Sequence, residues 1–433
     1  MGTFFLRIAY EFLSGSSLLA RTLMLAALTL ALTVPLGLMG GVVTDRQHHQ
    51  ENAVKSITDS WGKSQTFTGP RILVPSKDKT SSRQLVLLPQ KLTINGDVAP
   101  EQRRRGLFAV SIYRADLEVV AEFDTRLLRG LTPDNEIVWS GARLLVGVSE
   151  ERSLSADTVD VDGRPLEWLP NTDDTLTSLQ ASLADIDPDA RSSLTVRFRL
   201  TFAGSGSLSL VPLGQHTDVT LVSPWRSPSF IGAYLPTSQT VTPEGFRASW
   251  TTSSLGRGYP QVWGPEPRAT PAATTVLASA LGVALISPVD AYRETDRAIK
   301  YGVLFIGLTF AACLLFELAT GTRPHALQYA LIGLSLCVFY LLLLSFAEQI
   351  GFGLAYLVSA AAVAIQGAVY TGAVQRRALP GLAFGAFLGL LYAVLYALLQ
   401  LEDVALLSGS LLLFGLLSLA MWFTRNLHRP QPA

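Results

Sequence analysis

Polar and apolar positions divide this chain into stretches with different periods. From Thr22 to Val43 the sequence TLMLAALTLALTVPLGLMGGVV carries no charge, and at about 20 residues it is long enough to cross a hydrocarbon core. An uncleaved anchor fits it better than a signal peptide, whose apolar part is shorter and ends at a small-residue cleavage site. Residues 1–21, with Phe4, Phe5, Ile8, Phe12 and Leu13 at mixed spacing beside Arg7 and Arg21, read as an interfacial lead-in. Between Thr44 and Ser287 the period becomes two. In Leu194 to Phe202, LTVRFRLTF, apolar and polar residues alternate without a break, which puts Leu194, Val196, Phe198, Leu200 and Phe202 on one face of a strand. The Ala-Gly-Ser-Gly that follows is expected to turn the chain back into Leu208 and Leu210. Further strands are expected at 71–74, 84–88, 107–123, 137–148, 219–223, 245–251 and 283–286. Many short strands separated by Gly, Pro, Asn and Asp predict an antiparallel sandwich, or two side by side. Residues 251–275, rich in Gly, Pro, Ser and Thr, read as loop.

The stretch SPVDAYRETDRAIKYGVLFIGLTFAACLLFEL, Ser287 to Leu318, is charged in its first half and apolar in its second. Ser287 suits an N-cap, Pro288 the first helical position and Asp290 the first turn. One rigid helix is therefore expected to run from the polar region into a bilayer. After it the chain is apolar almost to its end, with spans expected at 302–319, 328–346, 352–373, 380–400 and 404–424. Together with the anchor that makes six spans. The expected parts are a lead-in and anchor (1–43), a β-rich domain (44–286), a junction helix (287–301), a five-span bundle (302–424) and a tail (425–433).

Composition adds exclusions. The 433 residues are 49% hydrophobic with a mean hydropathy of +0.33, and 34 basic side chains balance 34 acidic ones, so no general attraction to nucleic acid is expected. Both cysteines, Cys313 and Cys337, lie in apolar runs, so disulfides do not hold the polar middle. Arginines at 7, 21, 323, 376, 377, 425 and 429 fall on one side of a six-span topology, and the opposite short loops carry Glu348, Glu402 and Asp403. Both termini are then cytoplasmic and the β domain is exported. Arg293, Arg297 and Lys300 run against that rule, but long domains translocate largely regardless of charge.

Glu317 is the one charged residue inside a predicted span. Counted from Gly302 it lies roughly 22 Å along a core of roughly 30 Å, within reach of the cytoplasmic interface and of Arg323. An ion-coupling role is the competing reading. Glu348 falls at the outer surface by the same arithmetic. On the junction helix Asp290, Arg293, Glu294, Arg297 and Tyr301 recur at spacings of three and four and share one side. That side is either solvated or a docking face. The five histidines form no metal-ligand spacing, no Walker A, G-x-S-x-G or H-E-x-x-H pattern occurs, and His216-Thr217-Asp218 has no evident nucleophile beside it. No enzyme activity and no cofactor are expected.

Three blocks carry a family resemblance. They are PVDAYRETDRAIKYGVLF (288–305) followed by HALQYALIGLSLCVFYLLLLSFAEQIGFGLAY (325–356); PLGQHTDVTLVSPWRSPSFIGAYLP (212–236) followed by GFRASW (245–250); and RILVP (71–75) after Gly69-Pro70. In this order they resemble the CreD family of bacterial inner-membrane proteins. Two departures stand out: Ala326 where the family usually has proline, and Arg226-Ser227 where it usually has Pro-His. The resemblance implies an inner-membrane location, a periplasmic domain and a link to envelope integrity and stress response, with no known reaction. The expected fold is a six-span membrane α-helical bundle plus an all-β-rich, sandwich-like periplasmic domain. Its expected partners are the lipid bilayer and an envelope protein or glycan. Trp225, Pro228, Ser229, Phe230 and Gly232 are the candidate interaction loop, since exposed aromatic anchors suit recognition; the competing reading is that Trp225 and Phe230 are core residues that close the sandwich. The alternative is a transporter or lipid-handling protein with a polar path near Glu317 and Gln366.

Overall fold

The alternation at Leu194–Phe202 becomes the middle of a long strand whose apolar residues are all buried. The computed structural model describes residues 18–77, 82–106, 108–131, 136–151, 153–171, 178–186, 192–264, 271–285, 291–320 and 325–400, with scattered positions from 407 to 421. Two units separate, residues 51–288 and residues 1–50 with 289–433.

In the first unit the strands are β1 (Gln65–Lys77), β2 (Ser82–Leu87), β3 (Lys91–Arg105), β4 (Phe108–Asp124), β5 (Glu136–Ile137), β6 (Arg143–Val148), β7 (Ser155–Ala156), β8 (Val159–Val161), β9 (Arg164–Leu166) and β10 (Leu169–Pro170). They continue as β11 (Leu179–Ser182), β12 (Ser193–Ser205), β13 (Ser207–Val211), β14 (His216–Ser223), β15 (Pro228–Gly232), β16 (Ser238–Thr242), β17 (Gly245–Ser253), β18 (Val262–Trp263) and β19 (Leu281–Leu285). One sheet runs β10-β11-β6-β1-β13-β19-β15, with β2 and β5 also on β1 and β18 on β2. The other runs β16-β17-β14-β3-β4-β12-β8-β9, with β7 on β12. Side chains from both sheets, among them Ile72, Leu210, Ile94, Leu117, Phe202 and Trp250, form one core, so the region is one sandwich-like body.

Two expectations about this unit are corrected. The sheets are not wholly antiparallel, because β13 pairs β1 and β14 pairs β3 in parallel. Nor does the chain turn back after β12. At Gly206, whose φ of +72° suits glycine, it leaves one sheet and enters the other as β13, between β1 and β19. There Leu208 and Leu210 are fully buried.

The helices are α1 (Leu18–Trp61), α2 (Arg126–Leu131), α3 (Ala273–Ala278), α4 (Ala291–Lys300), α5 (Gly302–Thr320), α6 (Ala326–Ile350), α7 (Phe352–Gln375) and α8 (Ala378–Gln400). Among the described residues four are long and apolar enough to cross a membrane, or five if α4 and α5 make one bent span. The sixth expected span, 404–424, lies outside the described residues except for scattered positions. Helix α1 continues past the predicted end at Val43 through Trp61, 44 residues in all.

The rigid junction helix is also corrected. Ser287, Pro288 and Asp290 lie outside the described residues, and the helical chain breaks at Tyr301, where α4 and α5 diverge by 46°. Gly302 begins α5 directly after the break. A Cβ on it would come within 2.8 Å of the Leu36 side chain of α1, so glycine lets α1 approach at the point where the helix weakens.

Candidate functional site

Two acidic side chains of the membrane unit, Glu317 and Glu348, are each held in a clasp. Glu317 on α5 is only 4% exposed. It forms an ion pair with Arg21 of α1 and accepts a 2.7 Å hydrogen bond from the Tyr329 hydroxyl of α6. A buried carboxylate is costly unless paired and hydrogen-bonded, and here both conditions are met by side chains from two other helices. The expected partner, Arg323, lies outside the described residues. At the other end of α6, Glu348 accepts a 2.8 Å hydrogen bond from Tyr292 of α4 and lies 3.7 Å from the Arg46 Nε of α1. Arg21 and Arg46 are separated by an uncharged run from Thr22 to Thr44 and by roughly 37 Å of helix. The clasps therefore bracket a length close to a bilayer core of about 30 Å. An arginine, a glutamate and a tyrosine recur at each end.

Glu317 and Gln366 do not share one cavity. Glu317 lines a space of about 50 Å³ with Cys313, Gln328 and Tyr370, enough for one or two waters. Gln366 is exposed on α7 and lines a separate space of about 250 Å³ with Leu331 and Ser335. Tyr370 and Ile332 form walls of both.

On the junction face, Arg293 is exposed, Glu294, Arg297 and Tyr301 are half-buried, and Asp290 lies outside the described residues. Helix α4 buries the opposite side, with Tyr292, Thr295, Ala298 and Ile299. Lys300 pairs with Asp296 at 2.7 Å.

In the β unit the candidate interaction loop is partly a strand. Pro228–Gly232 is β15, an edge of its sheet that pairs β19. The Trp225 ring is half-buried against the core, and its Nε1 donates to the Ser227 carbonyl at 3.0 Å. The Phe230 ring meets Phe246 and Trp250 edge-on, each at 5.8 Å. Gly232 has φ +103°. These residues are therefore anchored from the core side, and among the described residues their strand pairs on one side only. His216 is exposed, Thr217 is buried and Asp218 accepts a hydrogen bond from Thr251. Among the described residues no group of three or more His, Cys, Asp or Glu side chains could hold a metal ion.

Two features escaped the sequence reading. Arg257, placed in the expected loop, is 4% exposed. It donates to the carbonyls of Leu213, Gly214 and Tyr259 and to Gln261 Oε1, and it lies 4.7 Å over the Tyr259 ring. Burial pushes its pKa below the ordinary arginine value. The second feature is the outer face of the β3–β4–β12 sheet, a shallow concavity of about 750 Å³ with Asp97, Asp116, Glu118, Arg197, Arg199 and Arg247. Within it Arg199 clamps Asp116 with two 2.6 Å hydrogen bonds.

Residues 17–429 match the family model described as inner membrane protein CreD. The chain is 32% identical, over 420 residues, to the inner membrane protein CreD of Escherichia coli (strain K12), an alignment covering 92% of this chain and 90% of that protein. A solved structure of an M1 zinc metallopeptidase from Deinococcus radiodurans is 11% identical and covers 71% of this chain and 87% of its own, with a TM-score of 0.22. At that score the likeness carries no argument about fold.

Proposed function

The chain belongs to the CreD family of inner membrane proteins, and from that premise we propose that it is a non-enzymatic, membrane-anchored binding or scaffolding module of envelope integrity and stress response. In this reading both termini are cytoplasmic, the β unit is periplasmic, and its partner is an envelope protein or glycan. The observation that carries the reading is the use of Glu317. The one acid inside a predicted span is engaged by Arg21 and Tyr329, so its charge fastens α1 to the bundle. An anchor needs such fastening, because α1 runs without interruption from its apolar stretch to Trp61, just before β1.

Two experiments test it. Both native cysteines are buried, so a Leu255→Cys variant offers a clean label at a side chain 95% exposed. A membrane-impermeant maleimide should label it in intact spheroplasts; labelling only after permeabilisation would reverse the orientation. In cells lacking the protein, the double variant Arg21→Met with Glu317→Leu, which removes both charges of the clasp together, should restore envelope integrity as well as the wild type does. Failure of that variant at normal protein levels would favour ion coupling over anchoring.

A further inference from the structure

Strand β15 closes one end of its sheet, and the hydrogen-bond phase tells which backbone groups face outwards. Ala233 N–H donates to the Ala280 carbonyl at 2.8 Å, and the register pairs Phe230 with Val283 and Ile231 with Gly282. In an antiparallel ladder bonded pairs alternate with unbonded ones, so Ser229, Ile231 and Ala233 are the bonded positions. The Pro228 carbonyl and both the N–H and carbonyl of Phe230 and Gly232 then point away from β19. The neighbouring ladder agrees. Leu285 N–H bonds to Gly206, which turns the odd positions of β19 to β13 and its even ones to β15. Among the described residues β15 pairs with no other strand.

Exposed apolar side chains border the C-terminal end of this edge. Leu235, just beyond β15, is 75% exposed, and Leu255 is 95% exposed. The turn carrying Leu255 sits beside Tyr234, because a Cβ on Gly256 would lie 3.2 Å from the Tyr234 hydroxyl. Ile231 lies opposite Gly282, so no cross-strand side chain covers it on that side. An open run of backbone donors and acceptors bordered by exposed leucines matches an extended polypeptide with apolar side chains at alternate positions. It does not match a glycan, which would call for exposed stacking rings and side-chain hydrogen bonds; the rings here, Trp225 and Phe230, are turned to the core.

We propose that the open edge of β15 takes an extended segment of another envelope polypeptide as an added strand, bonded to Phe230 and Gly232. The inference rests on the reading of the chain as an anchored binding module and names the class of its partner. Pro228 has no N–H, so the added strand is registered on Phe230 and Gly232 and is short. Natural edges blunted by proline and shortness resist promiscuous pairing, and the leucine flank supplies the selectivity.

The test uses the full chain in lipid nanodiscs and a set of synthetic peptides of about ten residues tiled across the periplasmic proteins of the host. Bound peptides should slow amide exchange at Phe230 and Gly232 and leave Ser229 and Ile231 unchanged. N-methylation of every second peptide amide should weaken binding by about tenfold or more in one phase and much less in the other. Leu255→Asp and Leu235→Asp, at positions where folding is not at stake, should each weaken binding severalfold. Peptides that bind but protect another face, or bind equally in both methylation phases, would overturn strand addition and leave the binding-module reading standing. No binding by any peptide would also overturn strand addition, and the labelling and complementation experiments decide the anchored-module reading separately.

Discussion

The most buried charge in each unit, among the described residues, is 4% exposed: Glu317 in the membrane unit and Arg257 in the β unit. They are stabilised in opposite ways. Glu317 meets a counter-charge from another helix and one hydroxyl. Arg257 meets no carboxylate among its bonds; it is solvated by carbonyls of Leu213, Gly214 and Tyr259 and by an amide oxygen. Helices leave few backbone groups free for a buried charge, since their carbonyls are already bonded along the helix. Loops at a sheet margin have carbonyls to spare. A buried charge in the bundle therefore needs a partner chosen from the side chains, and one in the sandwich can use whatever backbone the turn presents.

The largest expected effect breaks the first half of that comparison. Arg21→Met leaves Glu317 buried without its counter-charge and should destabilise the membrane unit by about 3–5 kcal/mol, read as thermal unfolding of the full chain in detergent. Adding Glu317→Leu should recover most of that loss, because the remaining site is then apolar. A double variant as unstable as the sum of the two single ones would show that the clasp is not a pair.

Arg257→Met is expected to cost on the order of 2–3 kcal/mol, since several buried carbonyls lose their donor at once. Denaturant unfolding followed by tryptophan fluorescence measures it, as Trp250 and Trp263 are both in the core. No single second substitution should rescue it, and that contrast with Arg21 is the informative outcome. Arg257→Lys should recover little, because one ammonium cannot reproduce the fork of donors. A smaller change, Tyr292→Phe, removes the hydroxyl from Glu348 at the Arg46 clasp and should cost about 1 kcal/mol. Tyr329→Phe should cost more, because Glu317 is the more buried acceptor. Equal losses at the two clasps would mean that burial does not set their strength.

The same contrast explains what the residues revealed in advance. Glu317 stood out because a charge in an apolar run is costly wherever it lands, and the alternation at Leu194–Phe202 named its buried face directly. Arg257 gave no signal, since an arginine among Gly, Ser and Pro looks solvated until the chain folds over it. The partner of Glu317 was also hidden, because Arg21 is remote in sequence and only helix packing brings it near. Strand β15 was passed over as loop for a related reason. Five residues beginning with proline show no alternation, and β19, which makes them a strand, lies some fifty positions away. The break at Tyr301 was missed because a single glycine in an apolar helix is ordinary; it is the contact with Leu36 that gives Gly302 its place.

The smallest expected effect sharpens the comparison at the surface. Asp124 is clamped by Arg126 through two 2.9 Å hydrogen bonds. That side-chain hydrogen bonding, helped by the backbone N–H and the positive charge of Arg126, holds its carboxyl below the ordinary value of 3.8 against the opposing effect of burial. A carboxylate whose pKa is depressed by folding contributes stability above its unfolded pKa, and that contribution is lost as pH falls through the folded one. Arg126→Gln should therefore lower the denaturation midpoint of the β unit slightly at about pH 7, with the difference shrinking towards about pH 2 as the carboxyl protonates in both variants. The Arg126 side chain is 68% exposed, so about 1 M salt should remove most of the difference. The same salt should leave the Arg21→Met effect nearly intact, because the pair it breaks is closed to solvent on its acidic side. If salt erased both, burial would not be what distinguishes the two kinds of ion pair in this chain.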